Sequence, residues 1–190
     1  MRVNGKQHDW GCTRQGGHMN IRGRLLVPAT VAALTLGTAA AGALSPAIAA
    51  GTAISGCTGG QLGAHLGASQ GAAGTTFQNV RFRNHGSSAC SLDGYARFVY
   101  LNAAGDRIGF PAKPVGPHQP VTISPGRAAV AALGIPAYQN FPRARCHPRH
   151  AVAIRVTAPG TIKRHVLPLA VTVCTTRFGR STSLAVRHHF

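Results

Sequence analysis

The placement of four cysteines behind an apolar leader constrains this chain more than any other feature. Cys57, Cys90, Cys146 and Cys174 lie downstream of a stretch that reads as an export signal, and Cys12 precedes it. Met19 opens the leader: Arg22 and Arg24 make a positive start, Leu25 to Leu44 is uncharged and largely apolar, and Pro46 breaks the run. Ala47-Ile48-Ala49 then offers the small residues that a signal peptidase reads. The uncharged stretch is long enough to span a bilayer. Its Ala, Gly and Thr content, Pro28 and the lack of a basic cluster after it favour a cleaved signal over an anchor.

An even number of cysteines in an exported chain reads as two disulfides. Four cysteines allow three pairings. Cys57–Cys90 and Cys146–Cys174 are favoured because each closes a loop of moderate length, worth about 3–4 kcal/mol through the unfolded state. Ile54-Ser55-Gly56-Cys57 resembles a lipobox. However, Cys57 lies 13 residues beyond Leu44, and acylating it would leave one of three thiols without a partner. A lipid anchor at Cys57 is therefore less expected than a secreted or cell-envelope protein held by disulfides. No CxxC spacing marks a metal site.

The expected organisation is a doubtful N-terminal extension over 1–18 with the start expected at Met19, a signal peptide over 19–49, a domain over 50–176 and a basic tail over 177–190. Lys and Arg number 20 against 3 Asp and Glu, a formal charge of +17. Removing 1–49 leaves 15 bases against 2 acids, a balance of +13. The remaining carboxylates, Asp93 and Asp106, sit beside glycines in turn-like contexts. That excludes most chemistry needing paired carboxylates. No HExxH or phosphate loop occurs. The chain reads as a non-enzyme with no cofactor, no metal and no catalytic residue to assign.

The mature segment reads as β. Phe77–Arg83 mixes polar and apolar residues, and Tyr95–Leu101 is aromatic and branched, as strands prefer. Ala103-Ala104-Gly105-Asp106 then turns into Ile108 and Phe110, a hairpin pattern. Val121–Ile123 ends at the turn Ser124-Pro125-Gly126. Arg127–Ile135 is Ala-rich and fits a helix or a strand. In Ala151–Thr157, Val152, Ile154 and Val156 alternate onto one face, and in Val166–Cys174 Pro168 marks a bulge or an edge. About seven short strands with frequent turns imply an all-β sandwich.

The order of these segments resembles the actinobacterial secreted domain of unknown function 4232. The resemblance covers roughly Cys57 to Thr176. It rests on Cys90, Leu92, Gly94 and Tyr95, on the turn at Pro125, Gly126 and Ala129, and on the late cysteines. It implies an exported or lipid-anchored, Ig-like β-sandwich with two disulfides and no assigned activity. The chain departs from the family pattern with Ala96 in place of a proline, a basic insertion around 143–150 and a basic tail.

The basic departures supply the candidate site residues. Arg143, Arg145 and Arg149, with His147 and His150, crowd around Cys146, and the tail adds Arg177, Arg180, Arg187, His188 and His189. Arginine offers paired donors that match phosphate oxygens. The same residues also read as a solvated loop around a disulfide and a frayed terminus. His147 and His150 have a spacing that suits a metal on a helix, but Pro148 opposes a helix there. The preferred expectation is a binding module for an anionic envelope polymer or acidic lipid surface, without a transmembrane span or a specific nucleic-acid partner. The alternatives are a structural or protein-interaction domain, whose charge reflects arginine-rich composition, and a hydrolase using a His/Ser site.

Overall fold

Residues 53–189 are described by the computed structural model, and nearly all of their regular structure is strand. The leader, its cleavage point and the start at Met19 lie outside the described residues. The strands are β1 (Leu62–Ala72), β2 (Thr75–Asn84), β3 (Cys90–Leu92), β4 (Arg97–Leu101), β5 (Arg107–Ile108), β6 (Lys113–Val115), β7 (Val121–Ile123), β8 (Ala128–Pro136), β9 (Pro148–Thr157), β10 (Arg164–Cys174), β11 (Thr182–Leu184) and β12 (Arg187–His188). One turn of helix, α1 (Arg143–Cys146), precedes β9.

Two main sheets form. The larger has the order β1-β2-β8-β11-β6, with β12 also paired to β8; the smaller has the order β10-β9-β4-β5. Strands β3 and β7 make a separate antiparallel pair. Val80 and Phe82 of the larger sheet share one core cluster with Phe98, Tyr100, Ile154 and Val156 of the smaller. The result is a two-sheet β-sandwich, as expected. It has more strands than the seven expected, because β3, β5, β6, β7, β11 and β12 are only two or three residues long.

Period two decides which residues face inward. In β2, Gln78, Val80, Phe82 and Asn84 are buried while Arg83 is exposed. The Ala-rich segment is strand β8, not helix. It is central, paired to β2 on one side and to β11 and β12 on the other, and Ala129 to Ile135 are all buried. Small residues suit such a strand, hemmed in on both faces.

Both disulfides close as expected, Cys57–Cys90 and Cys146–Cys174. The Cys57 sulfur is thus already bonded. Asn84 is fully buried and satisfied: its Nδ2 donates to the carbonyls of Ser88 (2.8 Å) and Ile123 (3.0 Å), and its Oδ1 accepts from the Gly86 amide (2.8 Å). It therefore stitches the end of β2 to β7. Tyr100 Oη lies 2.7 Å from Ser181 Oγ in the interior, and burial raises its ionisation well above the ordinary range.

Two expectations need correction. Residues 177–189 are not a frayed tail: β11 and β12 pair with β8, and Ser183 is buried with its hydroxyl donating to the Ala96 carbonyl at 2.8 Å. Backbone pairing supplies the order that the polar sequence did not advertise. Val152 does not join Ile154 and Val156 in the core: it is exposed while Ala151 is buried. Val152 lies opposite the point where the β9–β10 register shifts, a bulge between Pro168 and Val171 of β10.

Candidate functional site

The outer face of the larger sheet gathers cations from three strands, β1, β2 and β12, across the apolar strand β8. Cross-strand partners share a face. His65 of β1 sits opposite Arg81 of β2, Arg81 opposite Val130 of β8, and Val130 opposite Arg187 of β12. Two residues along β2, Arg83 stands on the same face opposite Ala128. The strand rise puts the two arginine Cα atoms roughly 7 Å apart. Gly67 of β1 leaves room for Arg81: a Cβ there would lie 3.4 Å from its Nε. Arg127, in the turn before β8, joins His65, Arg81, Arg83 and His189 around an open concavity of about 380 Å³. A neighbouring concavity of about 270 Å³ shares Arg81 and His189 and adds Arg187 and His188.

No arginine or lysine pairs with a carboxylate among the described residues; the ion pair found there joins His118 to Asp93. The face is therefore a set of uncompensated donors, several in forked geometry, on rigid strands. Such an array suits phosphate or sulfate groups repeated along a chain.

The arginines expected to carry the site lie elsewhere and do not form one cluster. Arg145 lies over the Phe178 ring, 3.9 Å from its centroid, and Phe178 meets Phe141 edge-on at 5.5 Å. Arg177 and Arg180 lie 5.4 Å and 6.0 Å from the Phe110 centroid, and Arg180 Nε donates to the Pro111 carbonyl at 2.6 Å. Thr175 and Thr176 donate their hydroxyls to the carbonyls of His147 and Arg145. Gly179, with φ near +73°, lets the chain pass where a Cβ would come within 2.8 Å of the Cys174 sulfur. Arg149 instead lines a separate concavity with Arg107 and His150, and Arg143 stands exposed at the start of α1. The helix ends at Cys146; His147 follows in the left-handed region, so the two histidines never share a helical face.

Asp93, read from sequence as a turn residue, bonds His118 Nδ1 at 2.7 Å, and the Tyr95 ring meets His118 edge-on at 5.4 Å. A carboxylate that orients an imidazole is one element of a hydrolytic triad. Both side chains are about half exposed, which weakens the pairing. The partners are 25 residues apart, and no local pattern links them. The cationic face was missed for a similar reason. Arg187, His188 and His189 were read only as part of the tail; Arg81, Arg83 and Arg127 come from separate segments, and β1 is too rich in Gly and Ala to read as a strand.

With the geometry in place, the comparisons with known proteins add a family. A family model described as "Domain of unknown function (DUF4232)" matches residues 57–188, a span that includes β11 and β12. No curated protein and no solved structure matches the chain.

Proposed function

We propose a role for this chain, which belongs to the domain of unknown function 4232 family, from its own surface: it is an exported, non-enzymatic module that binds a polyanion of the cell envelope. The observation that carries this reading is the face around Arg81, Arg83, Arg127 and Arg187, where donors converge on a concave, open surface with no ion pair beside it among the described residues. An open groove tracks a repeating polymer better than it encloses a small substrate. Two closed disulfides support an oxidising destination. The binding is electrostatic, so affinity falls steeply as added salt makes the release of the polymer's counterions less favourable.

Retention of the disulfide-intact protein on immobilised polyphosphate, against a neutral dextran matrix, tests the proposal across a salt series. The expected result is tight retention at low salt, lost progressively with added salt, and no retention on dextran. Equal retention on both matrices, or a salt-insensitive interaction, overturns it.

A further inference from the structure

The hairpin tip between β9 and β10 carries a second feature, on the other sheet. Ala158-Pro159-Gly160-Thr161 is a tight turn: Thr161 N and Oγ1 both donate to the Ala158 carbonyl, and Gly160 takes φ +69° after a proline, the pattern of a type II turn. The next residue, Ile162, is 95% exposed, and Val166, further along the hairpin, is 61% exposed. Neither contributes to the core. A branched apolar side chain held almost wholly in water has no role in folding, and turn chemistry favours small polar residues at such positions.

The surroundings are cationic. Arg97 of β4, Thr157 of β9 and Arg164 of β10 lie in one cross-strand row, with Val99, Arg155 and Val166 in the next. Arg97, Arg155 and Arg164 line one concavity of about 380 Å³ with Ile162 and Tyr95, and Lys163 is adjacent in sequence. The hairpin from Arg149 to Cys174 contains no acidic residue. The tip is also braced, since Lys163 packs so close to Gly59 that a Cβ there would meet its Cβ at 2.5 Å. Gly59 lies two residues from the disulfide-bonded Cys57.

We infer that this tip docks the protein on an anionic phospholipid bilayer, with Ile162 entering the acyl boundary while Arg97, Arg155, Lys163 and Arg164 engage lipid phosphates. Apolar insertion framed by bases with long stems is how a monotopic protein holds an anionic interface. The inference goes beyond the polyanion reading and does not depend on it, because the two surfaces use different residues of different sheets.

Flotation of the disulfide-intact protein with vesicles of phosphatidylcholine, with or without phosphatidylglycerol, tests the tip. Partitioning is expected only with phosphatidylglycerol, to fall at least ten-fold in Ile162→Glu, and to survive Arg81→Ala with Arg83→Ala. In Ile162→Trp, tryptophan emission should shift to the blue and be quenched by brominated acyl chains, relative to the unsubstituted protein. Vesicle binding that Ile162→Glu leaves unchanged, or a tryptophan at 162 that stays in water, overturns the inference. Binding equally strong to pure phosphatidylcholine does so too. Survival of vesicle binding beside lost polyphosphate retention separates failure of one surface from failure of the other.

Discussion

Arginines are used in opposite ways at two places in this molecule. On the outer face of the larger sheet, Arg81, Arg83 and Arg187 project from paired strands and surround open concavities. At the Cys146–Cys174 pole, Arg145, Arg177 and Arg180 lie over aromatic rings, and one of them donates to a backbone carbonyl. A guanidinium over a ring has already spent one face on packing. Charge count alone therefore does not locate a ligand surface: what matters is whether the donors have partners within the fold.

The comparison can be broken first through the pole. Cys174→Ser opens a bridge of sequence separation 28, and unfolding stability should drop by ~3–4 kcal/mol in denaturant titration. Polyphosphate retention below the transition should persist, because the sheet face is built from other strands. Loss of both together would mean that the pole is part of the binding surface.

Arg81→Ala with Arg83→Ala probes the other side. Affinity for polyphosphate at about 0.1 M salt should fall roughly ten-fold, about 1.4 kcal/mol, with a shallower salt dependence. Stability should stay within about 0.5 kcal/mol, as for ordinary surface positions. The reciprocal variant, Arg145→Ala, should cost about 0.5–1 kcal/mol of stability through the lost stacking on Phe178 while changing polyphosphate affinity less than two-fold. If these two variants exchange effects, the assignment of roles is reversed.

The smallest effect concerns His165, on the edge strand and in neither region. Burial, and secondarily the charge of Lys163, lowers its proton affinity in the folded state. The unfolded chain then binds more protons than the native one, so stability rises with pH through this window. It is complete above the ordinary histidine range, near pH 6.5, and is lost as pH falls toward the depressed folded value. His165→Gln should flatten that slope slightly in thermal melts at pH 5 to 7 and leave polyphosphate retention at neutral pH unchanged.

Much of the fold was legible from local pattern. Val121–Ile123 is a strand with the bounds read from sequence, the turn from Asn102 to Gly105 joins β4 to β5, and Pro168 marks both an edge strand and a bulge. The strand β1 was hidden because its Gly and Ala residues give no β-branched signal, and it exists by pairing along β2. Strands β11 and β12 were hidden because two or three residues carry no periodicity of their own. The Asp93–His118 pair and the row from His65 to Arg187 join residues that only the folded chain brings together.

Composition and spacing by themselves determined that this chain is basic, poor in carboxylates, built of strands and able to pair the four cysteines from Cys57 to Cys174, because those properties reside in residue identity and in repeats of two. Only the tertiary structure decided which arginines face solvent without a partner and which lie over rings. It also decided that the C-terminal segment belongs to the sheet and that Ile162 stands bare among cations. Each of these depends on cross-strand register, a relation between distant segments that no local stretch of sequence encodes.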